Sequence, residues 1–204
     1  RDLVASARRA RDAGFDGVEV AAHMCYFYSS FLSPLANQRT DEYGGSAENR
    51  ARALRDAVAA VRAEVGDDYP VGIRMSVNDH MPGGQDPDGF AEVAKHIVGA
   101  GVDFIALTDG NYESMRANVP STSGNMLAHG EPQAFRAAVG DSVRLFLSST
   151  PDPQQAADAI SAGHVDATML ARQLLADPQQ PAHPAKVGGL IFQQDISRQD
   201  KQQR

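Results

Sequence analysis

The chain is poor in the residue types that would place it in several protein classes. It holds one cysteine, Cys25, in 204 residues. That excludes a disulfide framework within the chain and any all-cysteine metal or iron–sulfur site. Basic residues are outnumbered: 19 Lys and Arg against 26 Asp and Glu leave a net charge of −7. A general nucleic-acid binder needs a basic face, so nucleic acid is not an expected partner. No apolar run approaches the roughly 20 residues needed to span a bilayer. The opening Arg1-Asp2-Leu3-Val4-Ala5 has no apolar signal core. No membrane partner and a cytoplasmic location are expected. His80, His96, His129, His164 and His183 show no metal-ligand spacing along the chain. Gly83-Gly84 lacks the companions of a Walker loop or a dinucleotide fingerprint.

What is present is an alternation of helical and strand-like segments. Helical periodicity runs through Arg1–Ala13, Ser46–Val65, Asp88–Val98, Pro132–Val139 and Pro153–Ala162. The second is the clearest: Ala51, Leu54, Val58, Val61 and Val65 share one face. Ser46 is placed to cap it and Gly66 to end it. Between the helices lie short β-branched runs: Gly17–Ala22, Val71–Ser76, Phe104–Thr108, Arg144–Ser148 and Ala167–Ala171. Such runs read as parallel strands buried on both faces. Gly14-Phe15-Asp16, Gly101-Val102-Asp103 and Gly163-His164-Val165-Asp166 each lead into a strand. This repeat favours a barrel of similar βα units over an open doubly wound sheet. A closed parallel barrel needs about eight strands, so the expected fold class is α/β, either an open doubly wound sheet or the back part of a (β/α)8 barrel. The tail from Gln193 to Arg204 is polar and Gln-rich, and is expected to be flexible.

In such a fold chemistry belongs where strands end and βα loops begin. The loops over residues 23–45 and 109–131 are long, as an active-site mouth requires. Arg74 lies inside a strand, where a guanidinium needs an anionic partner. That partner is either Glu19 of the preceding strand or a bound cofactor or substrate, and the five donors of Arg allow both. His23 and Tyr26 follow the first strand and are candidate catalytic groups. The competing reading makes Tyr26, Phe27, Tyr28 and Phe31 an aromatic cluster on the rim, with Cys25 inert among them. Ser149 and Thr150 after the fourth run, with Ala171 and Arg172 after the fifth, are placed where barrels bind phosphate. The alternative for Arg172 is a surface arginine.

Residues Phe31 to Ser46 (FLSPLANQRTDEYGGS), followed by Glu48-Asn49-Arg50, resemble the hallmark of the Old Yellow Enzyme family. The resemblance is closest to its branch of NADH:flavin oxidoreductases, 2-enoate reductases, 2,4-dienoyl-CoA reductases and trimethylamine dehydrogenase. Gly14–Val20, Asp109–Met115 and Leu174–Pro178 resemble the same family, so the similarity runs over residues 2–178. It implies FMN as cofactor, NAD(P)H as electron donor and no iron–sulfur cluster in this chain. It makes residues 1–178 a partial FMN-binding TIM (β/α)8 barrel whose strands are the family's fourth to eighth, and residues 179–204 a divergent, flexible tail. The implied reaction reduces an activated alkene by hydride transfer from reduced flavin, with Tyr26 as proton donor. Other members oxidise amines, and a third possibility is a non-catalytic fragment with half a flavin site. Arg74 matches the arginine at the flavin pyrimidine edge. Ala171-Arg172 matches the Gly-Arg step at the FMN phosphate, with Ser149 and Thr150 in the companion loop. Where the family often carries His-x-x-His or His-x-x-Asn, this sequence has Ala21 and Met24. His23 and Tyr112 are then the candidates for holding substrate. The expected partners are a small-molecule substrate and either a second copy of the chain or an N-terminal barrel half.

Overall fold

The computed structural model describes residues 2–111, 114, 125–148, 153–171 and 175. The elements follow in the order α1 (Asp2–Asp12), β1 (Val18–Ala22), α2 (Ser29–Leu32), α3 (Ala47–Val65), β2 (Val71–Ser76) and α4 (Pro87–Val98). Then come β3 (Phe104–Thr108), α5 (Asn125–His129), α6 (Glu131–Val139), β4 (Arg144–Ser148), α7 (Pro153–Ser161) and β5 (Ala167–Met169). Ser46 caps α3 by accepting the Asn49 N–H at 3.2 Å. Asp86 caps α4 through the Gly89 N–H at 2.9 Å, with Pro87 in the first turn, where its missing N–H costs nothing. The short helices α2 and α5 lie within the two long loops, where helical periodicity has too few residues to register. No helix among the described residues is long and apolar enough to cross a membrane.

Among the described residues the five strands form one parallel sheet in sequential order, β1-β2-β3-β4-β5. A doubly wound sheet reverses its order at a switch point and carries helices on both faces. Here α1 packs on α3, α3 on α4, and α4 on α6, side by side along the sheet. This is a sector of a (β/α) barrel. The register sets Val20, Ile73, Ile105 and Leu145 in one row across β1 to β4. Each of these is buried, and they join Leu54, Val58, Phe90, Ile97 and Phe135 of the helices in the core.

The expectation of strands buried on both faces holds at the middle of β3 and β4 and at Ala167 of β5, and fails at β1 and β2. The opposite row is Ala21, Arg74, Ala106, Phe146 and Ala167. Glu19 and Ala21 of that face are exposed and Arg74 is half-buried, because among the described residues no layer covers the middle of β1 and β2 there. Further along the sheet Phe104 and Phe146 stack with centroids 5.0 Å apart. The Phe104 ring lies over Gly72, where a side chain would collide with it.

The long loop after β1 is fastened by backbone acceptors. Asn37 donates its amide to the carbonyls of Phe31 and Tyr43, both at 2.7 Å. Arg50, buried, donates to Leu32 O at 2.8 Å, to Gln85 Oε1 at 2.7 Å and to the carbonyl of Gly45. Gly44 is packed against the Arg39 carbonyl so closely that a Cβ has no room. Gly44→Ala must therefore displace backbone, and should lower unfolding free energy by about 1–3 kcal/mol. A urea midpoint equal to that of the wild type would show that the loop absorbs the methyl freely.

Candidate functional site

The C-terminal strand ends carry the polar groups. Arg74 points from the open face of β2, and its register neighbours are Ala21 and Ala106. Two methyl side chains leave space around the guanidinium. Its Nε lies 2.7 Å from Glu19 Oε1, and Nη2 lies 3.3 Å from Oε2. The Glu19 pairing anticipated from the sequence is therefore present. Both side chains stay partly open, at 26% and 29% exposure. Nη1 has a long contact of 3.5 Å to Ser148 Oγ, which leaves donor capacity toward the open face.

Met24 and Cys25 both adopt left-handed backbone, with φ of 59° and 57°. Such turns cost L-residues about 1 kcal/mol or more each. This one is held by the Met24 N–H donating to Ser76 Oγ at 3.2 Å, while Ser76 donates to Gly110 O at 2.9 Å. One hydroxyl thus connects the strand-end loops of β1, β2 and β3. The turn sets His23 and Tyr26 edge to face, with ring centroids 5.5 Å apart. Tyr26 is 53% exposed at the mouth. The aromatic cluster also forms: Phe27 meets Tyr28 at 5.0 Å and Phe31 at 5.5 Å. Tyr26 faces His23, so the functional and packing readings divide among neighbouring residues.

His23 Nδ1 is buried without a hydrogen-bond partner among the described residues. Burial lowers the His23 pKa below 6.5, the positive charge of Arg74 lowers it further, and Glu19 opposes both. A neutral imidazole carries one donor and one acceptor, which suits a group that must grip a polar ligand.

Asp79, 2% exposed, ties the loops together. Its carboxylate accepts from Ser33 Oγ at 2.5 Å, from the Gln85 N–H at 2.7 Å and from Asn111 Nδ2 at 3.3 Å. Beside it the fold assembles a group that chain spacing does not show. His80 Nε2 is 2.5 Å from Asp109 Oδ1 and 3.9 Å from Glu131 Oε1. Glu131 is fully buried, and burial raises its pKa to about 7, with the Asn78 hydrogen bond pulling the other way. Helical periodicity in the sequence starts at Pro132, whereas the helix begins at Glu131. The one available signal was Asp109, at a strand's C-terminal end.

Of the remaining candidates, Ala171 is exposed just beyond β5, and its carbonyl accepts from the Leu175 N–H at 3.1 Å. Tyr112, Ser149, Thr150 and Arg172 lie outside the described residues.

A sequential parallel sheet flanked by helices, with a cationic strand residue and a His–Tyr pair at its mouth, is a TIM-barrel arrangement. The sequence model of the NADH:flavin oxidoreductase / NADH oxidase family matches residues 1–186, and the chain belongs to that family. It is 38% identical over 199 residues to a metal reductase of Desulforamulus reducens, covering 91% of this chain and 29% of that protein. It is 35% identical over 194 residues to a cinnamate reductase of Clostridium sporogenes, covering 86% and 29% respectively. The structure of a 2-naphthoyl-CoA reductase with 2-naphthoyl-CoA superposes with a TM-score of 0.80 at 32% identity, covering 90% of this chain and 28% of that one. The chain thus spans less than a third of the length of each of these relatives.

The electrostatics of the mouth can be read from His23. Arg74→Gln removes a depressing charge and should raise the His23 pKa; Glu19→Gln should lower it. Because the native pKa lies below 6.5, the unfolded chain binds the proton more readily, so His23 costs stability as pH falls through that value. Nuclear magnetic resonance titration of the His23 ring reads these shifts directly. Movement of both variants in the same direction would contradict the arrangement.

Proposed function

We propose that the chain forms part of an FMN-dependent oxidoreductase that uses NAD(P)H to reduce an activated alkene: an enone, enoate or enoyl thioester. The carrying observation is Arg74 in its alanine-flanked opening, with His23 and Tyr26 at the adjoining strand end. The residues present suit a flavin. The open sheet face offers a guanidinium with spare donors, and the mouth offers a buried imidazole nitrogen that lacks a partner among the described residues. Names of relatives support the substrate class, since one is a cinnamate reductase and one a 2-naphthoyl-CoA reductase.

When bound, FMN supplies the relay of hydride between nicotinamide and alkene. Arg74 would hold the electron-rich pyrimidine edge, and its charge favours the anionic reduced state. Glu19 fixes the guanidinium plane through two contacts, so the orientation is set before ligand arrives. The Ala171 backbone, Arg172, Ser149 and Thr150 would hold the phosphate. His23, neutral, would donate or accept at the substrate's carbonyl, assisted by Tyr112. Tyr26, exposed at the mouth, would deliver its phenolic proton to the α-carbon as the β-carbon receives hydride.

Visible spectra of the chain, mixed with FMN and freed of excess, test the cofactor site. A retained flavin band, lost in Arg74→Met, is the expected result. In the flavin-loaded protein Tyr26→Phe should cut enone turnover by about 10²–10⁴-fold, the usual worth of a placed acid, with flavin content unchanged. Wild-type turnover by Tyr26→Phe would remove the acid role, and turnover of a secondary amine in place of enones would reassign the reaction.

A further inference from the structure

The His80–Asp109–Glu131 group has no part in the reaction above. It is drawn from three places in the chain: the loop after β2, the end of β3 and the first residue of α6. One imidazole nitrogen and one oxygen from each carboxylate lie within 4.8 Å of one another. Two carboxylates thus converge on one imidazole.

Glu131 has zero exposure, and its Oε2 has no hydrogen-bond partner among the described residues. Burying such an oxygen unpaired is costly. Its Oε1 accepts from Asn78 Nδ2 at 2.9 Å. Asn78 also accepts the His80 backbone N–H at 2.9 Å through Oδ1. One amide therefore orients two members of the group, as the outer shell of a metal site does.

We propose that His80, Asp109 and Glu131 form a binding site for a divalent cation of the zinc class. One imidazole and two carboxylates match the donor preferences of Zn²⁺, Co²⁺ and Mn²⁺ and lack the thiolates of softer sites. Bonds of about 2.0–2.2 Å would require the ligand atoms to stand roughly 3.3 Å apart. The Asp109 and His80 atoms, now in direct contact, separate to admit the ion, and Glu131 turns toward it. Asp109, 35% exposed, has the freedom to make this change and opens the site to solvent. Three protein ligands leave a fourth position for water. The cation takes the place of the direct His80–Asp109 contact and binds the buried Glu131 carboxyl group.

The test uses the 204-residue chain stripped with chelator, without FMN, so its result is independent of the flavin reading. Titration with ZnCl₂ by calorimetry, and with CoCl₂ by visible absorption, should give one site per chain and a Co²⁺ spectrum of tetrahedral type. His80→Ala and Asp109→Asn should each weaken Zn²⁺ at least tenfold, while His96→Ala on α4 leaves it unchanged. Asp109→Asn keeps the side-chain volume at a partly exposed position, so its fold is preserved even where a Glu131 variant's is not. Zn²⁺ should raise the thermal midpoint of the wild type and not of Asp109→Asn. Absence of saturable binding, or equal binding by wild type and Asp109→Asn, overturns the proposal.

Discussion

Asp79 carries the connections among the loops that form the mouth. Its buried carboxylate collects a hydroxyl from the loop after β1, a backbone N–H from its own loop and an amide from the loop after β3. A carboxylate removed from water must be met by donors, and charged acceptors make the stronger hydrogen bonds. The same requirement that stabilises Asp79 therefore fixes three strand ends relative to one another. Ser76 repeats the arrangement with a neutral hydroxyl one layer deeper. His23, Tyr26, His80 and Asp109 all hang from this frame.

The long family motif acts largely through that frame. Asn37, Gly44 and Arg50 are spent on backbone carbonyls and close contact, not on an open site. Arg50 also reaches Gln85, whose N–H serves Asp79, so the motif and the carboxylate form one network. The chemically suggestive side chains stand outside the motif, on the sheet's open face and in the turn at Met24 and Cys25.

The fold was legible because each element obeys local rules. Apolar residues three and four apart marked α3, Ser46 and Gly66 marked its ends, and β-branched runs marked the strands. The Arg74–Glu19 pair was legible for a related reason: a strand guanidinium requires an anion, and one stood at similar depth in the next strand. The His80–Asp109–Glu131 group was not legible. Its members share no periodicity and meet because β2 and β3 are neighbours and α6 begins above them. Tertiary convergence of this kind leaves no spacing to read.

The uneven coverage of the sheet links these features. Helices bury the outer rows of β1 to β4, so hydrophobic burial stabilises that side. The open side keeps a cation, its carboxylate and a half-buried imidazole within mutual influence. Charges there are less screened than on a free surface and less costly than in a sealed core. An anionic ligand edge placed over Arg74 would take the donors that Glu19 leaves open, while Ala21 and Ala106 present no steric bar. Glu19 therefore has two effects: it holds the guanidinium in place when the face is open, and it moderates the charge that a ligand meets.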